Sequence, residues 1–405
     1  MKKTRKTRSS MLTFNVKSNS SPNTFSSLSI YVCFILISIF FFGCFTRTVN
    51  VTTTPTENMT KNITENITAN ITANITTPIT ETENVTTTTT EKNITTTQTT
   101  TPVIENISAC GALSSSNTVY ILTQDITDYP RTCITFEADN ITLDCQGHRI
   151  DGTTKYGIGM YYGVYAKGKS NSTIRNCNIS DFYYGIYLDS SSNNVISNVT
   201  LKSHWKEGIY LLYSSSNILS NIIANSNDDC GISLYSSSSN ILSNITTNSN
   251  YNSGIIILFS DNNTLFNVTT NFNGEDGVNL FTSSFNTLSN IIAKSNARSG
   301  INLESTNFII TGNEKMTDNN KIYNCFFNNT NNIKFNRITQ NVWNTTLSAG
   351  PNIVGGPYIG GNFYATPSGK GFSEMCTDSD RNGVCDSSYT ISGENIDYLP
   401  LAYPR

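Results

Sequence analysis

The residues best suited to chemistry in this chain keep a register of 23. Lys206, Asp229, Asn252, Glu275 and Arg298 each stand two before a recurring glycine, and one residue earlier stand Trp205, Asp228 and Tyr251. Opposite charges on successive repeats read most simply as a surface ion-pair ladder, worth under about 1 kcal/mol per pair. An aromatic beside an acid and an amide is what a sugar face asks for: an apolar platform ringed by hydrogen bonds. Trp205, Asp228, Tyr251, Lys206 and Asp229 are therefore the expected ligand-binding residues. No catalytic set is expected. His148 and His204, the chain's two histidines, read as structural or exposed.

A second group sits near the C-terminus. Asp378, Asp380, Asn382 and Asp386 occupy positions 1, 3, 5 and 9 of a calcium loop, Val384 offers its carbonyl at 7, and Gly383 stands at 6 where the chain turns sharply. Position 12 is Tyr389 rather than an acid, so Glu394 or Asp397 would have to close the shell. The expected cofactor is structural Ca2+, folding the tail rather than doing chemistry.

The element that positions the first group is a repeat. Gly185, Gly208, Gly231, Gly254, Gly277 and Gly300 are 23 residues apart, and Asn171, Asn194, Asn217, Asn240, Asn263 and Asn286 keep the same beat. After each glycine the pattern is apolar, variable, apolar. The first apolar row runs Ile186, Ile209, Ile232, Ile255, Val278, Ile301, and the second runs Leu188, Leu211, Leu234, Ile257, Leu280, Leu303. Period-two alternation makes these strands with both apolar rows turned inward. A second strand follows each asparagine. Short strands with polar corners in a 23-residue unit describe one rung of a parallel β-helix. Asn198, Asn221, Asn244, Asn267 and Asn290 should form one corner ladder, and Asn227, Asn250, Asn273 and Asn296 another, Asn and Gly tolerating left-handed backbone there. Weaker patterning around Phe308-Ile309-Ile310 and Ile322-Tyr323 extends the count. The fold class is all-β, a right-handed parallel β-helix of about ten rungs, roughly 45–50 Å long at the strand spacing. The row four after each glycine, Asp189, Leu212, Tyr235, Leu258, Phe281 and Glu304, is unusually apolar for a solvated face. The C-terminal tail is expected to cover it.

The chain has 405 residues, a formal charge of −3 and only 14% charged residues, which gives no basic field for nucleic acid. Residues 1–27 are basic without an acid, and residues 28–45 are almost wholly apolar. Eighteen residues make about 27 Å of helix, just enough to span a bilayer with the basic side in the cytoplasm. Two readings stay open: an uncleaved signal anchor, or a lipoprotein signal in which Phe42-Gly43-Cys44 is the lipobox and Cys44 is lipidated. Residues 46–107 are rich in Thr and Asn, with acceptor sequons at Asn50, Asn58, Asn62, Asn66, Asn70, Asn74, Asn84, Asn93 and Asn106. Such a segment buries no core and reads as a glycosylated stalk. The β-helix should occupy 108–365 and the calcium-loop tail 366–405. An external location permits disulfides, and proximity in register or sequence suggests Cys110–Cys133, Cys145–Cys177 and Cys376–Cys385. Cys230 and Cys325 should be free core thiols.

Residues 108–405 also carry a resemblance. Thr132-Cys133-Ile134 and Asn140-Ile141-Thr142-Leu143-Asp144-Cys145-Gln146-Gly147-His148 look like the opening rung of NosD-like β-helix surface proteins, the carbohydrate-binding and sugar-hydrolase class. Gly361-Asn362-Phe363-Tyr364, the Asp-rich loop and Asp397-Tyr398-Leu399-Pro400 are similar to that family's C-terminal element. The class mixes enzymes, binders and structural proteins. Asp228-Asp229 is present, but the Gly-His-Gly and Arg-x-Lys motifs of polygalacturonase-like hydrolases are missing. Two His and six Met without clustering make a poor copper site. The expectation is a membrane-anchored protein at the cell surface, non-catalytic, whose partner is a surface polysaccharide or envelope protein. A polysaccharide lyase or glycoside hydrolase is the alternative, and a structural spacer a further one.

Overall fold

The computed structural model describes residues 102–153, 159–306, 309–310, 313–314, 316–337 and 339–404. The basic segment, the apolar segment with Cys44, and the sequons from Asn50 to Asn93 lie outside the described residues. The first strand, Val103–Ile107, starts slightly before the expected boundary, and Asn106 on it is exposed.

Two parallel sheets carry the described chain, one of fifteen strands and one of ten. Each regular turn gives one strand to each sheet. Val195–Lys202 pairs with Ile218–Asn225 in the larger, and Ile209–Leu212 pairs with Ile232–Tyr235 in the smaller. The fold is the expected parallel β-solenoid, with about eight turns, so ten rungs is slightly high. One cause is visible. Ile309–Ile310 pairs antiparallel with Asn313–Glu314, and a hairpin adds no rung because its strand never meets the turn below.

The inward rows fill the bore. Ile186, Ile209, Ile232, Ile255, Val278 and Ile301 are all fully buried. Each such side chain contributes about 1.5–3 kcal/mol. The repeat glycines serve close approach rather than a left-handed turn. A Cβ on Gly185 would lie 2.5 Å from the Gly208 carbonyl oxygen, and one on Gly231 would lie 2.7 Å from that of Gly254. None of the six has positive φ; the left-handed corners are held by Asn198, Asn221, Asn244, Asn267 and Asn290, at φ near 55°. There Asn198, Asn221, Asn244 and Asn267 each donate to the asparagine on the turn before, as in Asn221 Nδ2 to Asn198 Oδ1, 2.9 Å. A second asparagine ladder is buried: Asn194, Asn217 and Asn240 each donate a backbone N–H to the next asparagine's Oδ1 at 2.8 Å. Asn171 drops out of it. The first coil is one residue short, so Ser172 takes that place and donates its backbone N–H to Asn194.

The C-terminal tail closes the end of the solenoid instead of covering the apolar row. Trp343 is fully buried there, and its Nε1 donates to Asn395 Oδ1 at 2.9 Å. Asn362 N and Tyr364 Oη donate to Asp397 Oδ2 at 2.7 and 3.1 Å. An open bore exposes a ring of core side chains, so the tail buries more apolar surface at the end than along the flank.

Candidate functional site

On the smaller sheet the row between the two apolar rows points away from the bore, half-buried at its tyrosines and buried from Ser233 to Asn302. It reads Tyr165, Tyr187, Tyr210, Ser233, Ile256, Asn279, Asn302, paired rung to rung. The tyrosines stack with Tyr162 and Tyr184. Ring centroids are 4.8 Å apart for Tyr162–Tyr165, 5.1 Å for Tyr187–Tyr210 and 5.4 Å for Tyr184–Tyr210. Because the rings stack along the solenoid axis, the ladder is half-buried and turns ring edges outward. Burial raises the phenols of Tyr184, Tyr187 and Tyr210 well above their usual range, so they stay neutral donors and acceptors.

Next to the ladder is Glu207, 8% exposed. Ser233 Oγ donates to its Oε1 at 3.2 Å, and its Oε2 has no partner. Burial, reinforced by the neighbouring Asp229 carboxylate, pushes its carboxyl up to about 8. Lys206 Nζ donates to Asp229 Oδ2 at 2.7 Å, and Asn252 Nδ2 donates to Asp229 Oδ1 at 2.6 Å. Arg298 pairs with Glu275 at 3.5 Å. The expected ion-pair ladder is therefore present, but it is not a solvated one, since Asp229 is only 6% exposed. Burial works against the Lys206 charge and Asp229 outweighs it, leaving the ammonium titrating above its ordinary value. Farther along, Ile256 and Leu258 pack with Tyr235, Phe259 and Phe281 as an apolar stretch, before the polar set around Asp276 and Asn302.

Trp205, Asp228 and Tyr251 occupy adjacent rungs of the corner bordering this strip, and all three are exposed. Tyr183 meets Trp205 edge-on at 5.2 Å. The five residues expected to bind ligand thus lie together, Lys206 and Asp229 leading from the corner to the strip. Sequence reasoning missed the tyrosine ladder and Glu207. The signal was there: Tyr187 and Tyr210 together in the row treated as variable, and an acid directly before Gly208.

Away from the strip, His204 is fully buried, and its Nδ1 accepts from the Phe182 N–H at 3.3 Å. Burial lowers it to about 4, so it is a neutral member of a buried ladder. His148 Nδ1 lies 3.0 Å from Asp125. Disulfides join Cys110 to Cys133, Cys145 to Cys177 and Cys376 to Cys385, while Cys230 and Cys325 are free and buried. In the C-terminal loop Asp378, Asp380 and Asp386 bring oxygens within 4.8 Å of one another. Asn382 and Gly383 donate backbone N–H groups to Asp378, and Asn382 Oδ1 accepts from Val384 N. Asp397 cannot close this shell, because it is fully buried and committed to Asn362 and Tyr364; Glu394 is exposed.

The model of the family described as periplasmic copper-binding protein (NosD) matches residues 146–369, more than half of the chain. No curated protein matches it in sequence. Among solved structures, the chain is similar to the Azotobacter vinelandii mannuronan C-5 epimerase AlgE6 A-module (TM-score 0.45, 15% identity, 60% of this chain and 84% of that one). It is also similar to the alginate lyase from Paenibacillus sp. (0.43, 12%, 59% and 97%) and to the active domain of Bacteriophage CBA120 tailspike protein 2 (0.44, 12%, 60% and 42%). Copper takes converging imidazole, thiolate or thioether donors. Among the described residues, one imidazole is sealed in a ladder, the other is held by Asp125, and both free thiols are buried. This donor set does not fit copper. The oxygens of Asp378, Asp380 and Asp386 suit a hard cation such as calcium.

Proposed function

The chain belongs to the NosD family, and from its outward-facing strip we propose that it is a non-catalytic, glycan-binding protein acting outside the cytoplasm. The family's periplasmic description agrees with that location. One observation carries the reading: a neutral tyrosine ladder, with the Lys206–Asp229 pair beside it and Trp205 and Tyr251 at its border, offers hydroxyls and ring surface over several rungs. A polyhydroxylated chain makes the complementary hydrogen bonds and apolar contacts. We propose further that residues 28–45 anchor the protein at the cell surface, that the Thr/Asn-rich segment is its stalk, and that calcium bound by Asp378, Asp380 and Asp386 stiffens the tail.

A second reading, polysaccharide lyase or hydrolase, draws on Glu207 and Asp229. A buried carboxyl pushed above its ordinary range beside a second carboxyl is an arrangement acid–base chemistry uses. Oligosaccharide binding, followed by glycan array and calorimetry, tests both. Tyr187→Ala and Trp205→Ala should each weaken binding about tenfold, a loss of about 1.4 kcal/mol. Release of unsaturated or reducing sugars would favour the second reading. Silence in both assays would leave a structural spacer.

A further inference from the structure

The charges on the strip select the class of glycan. In the regular rungs its acids are Asp189, Glu207, Asp229, Glu275, Asp276 and Glu304, and its bases are Lys167, Lys206 and Arg298. Every base is already committed. Lys167 pairs with Asp189 at 2.8 Å and Lys206 with Asp229 at 2.7 Å. Arg298 serves three carboxylates at once: Asp276, Glu275 at 3.5 Å and Glu304 at 3.5 Å. Asp276 is fully buried and also accepts from Ser299 Oγ at 2.6 Å and Asn302 Nδ2 at 3.1 Å. With Glu207 counted as neutral, five carboxylates still face three cations (5 − 3 = 2), and the surplus gathers around Arg298. Beside it the buried carbonyl oxygens of Asn279 and Asn302 have no partner, so acceptors exceed donors there as well. Lys334 stands one rung beyond, exposed at the end of the row.

Over the rungs from Gly185 to Gly300 a polyanionic sugar chain laid on this strip meets like charge and no uncommitted cation among the described residues, and like-charge juxtaposition is costly. An ammonium group meets the partly exposed carboxylates of Glu275 and Glu304, with the orphaned carbonyls and Asp276 buried beside them. We propose that the strip takes an amino-bearing glycan and rejects polyuronates, its selectivity set by the Asp276–Arg298–Glu304 cluster. The inference rests on the glycan-binding reading of the same face.

Three hexasaccharides of equal length test it by calorimetry on the full chain: a glucosamine oligomer, its N-acetylated form and a galacturonate oligomer. The expected order is amine first, at least tenfold tighter than the N-acetylated form, with the uronate weakest. The amine preference should shrink several-fold at high salt, where surface fields are screened. Glu304→Gln, nearly isosteric, should cut that preference several-fold by weakening the amine far more than the N-acetylated form. Uronate binding as tight as the amine, or equal binding of the amine and N-acetylated forms, overturns the charge argument and leaves glycan binding standing. No binding by any of the three removes both.

Discussion

Glu207→Gln separates a buried carboxyl from the strip it sits in. The side chain is 8% exposed, accepts one hydrogen bond from Ser233, and has an oxygen without a partner. Its folded-state pKa of about 8 stands above the ordinary 4.5. The native state therefore holds this proton more tightly than the unfolded chain does. The stabilising contribution is fully present below about pH 4.5 and is lost as pH rises through 8. Asp229 shares the coupling, so the net loss in the parent is on the order of a few kcal/mol. Gln keeps the shape and has no proton to lose. Urea unfolding of parent and variant at pH 5, 7 and 9 should show a small difference at pH 5 and a growing advantage for the variant at pH 9. Asp397, raised to about 7 by its own burial, loses stability in the same direction in both proteins and cancels in the difference. A stability difference that does not change between pH 5 and 9 would refute the reasoning.

Phe272 and Phe285 are exposed by 64% and 58% and both hold φ of 58°. Left-handed backbone costs an ordinary residue about 1–2 kcal/mol, and other turns place Ser or Asn there. Phe272→Asn and Phe285→Asn should each raise thermal stability by about 0.5–1 kcal/mol; a lowered melting temperature counts against the strain argument. Gly231→Ala sets a methyl 2.7 Å from the Gly254 oxygen and 2.8 Å from the Ala224 oxygen, with an expected cost of about 2 kcal/mol or more. Gly111→Ala, which meets nothing within 4 Å, should be near neutral, and equal effects of the two would sink the contact explanation. Calcium titrated into the protein should release or absorb heat that Asp378→Ala abolishes, and absence of heat in the parent ends the calcium proposal.

The 23-residue beat determined the solenoid and its inward rows from sequence alone. Residues one period apart meet the same surroundings, so Ile209 and Ile232 announce one environment twice, and the ladders of Asn198 and Asn227 follow the same logic. The tertiary structure decided what the beat does not encode. Glycine recurs because the next turn's carbonyl lies where a Cβ would be, a contact between turns that spacing within one turn does not reveal. Tyr187 and Tyr210 looked variable because the row continues as Ser233 and Ile256; only stacking, which brings Tyr165 beside Tyr187, showed them to be one surface. Glu207 looked like an ordinary acid before a glycine, yet Tyr184 on the turn before and Asp229 and Ser233 on the turn after lie against it. Outward positions take their character from side chains one turn away, and that neighbourhood exists only once the turns are stacked.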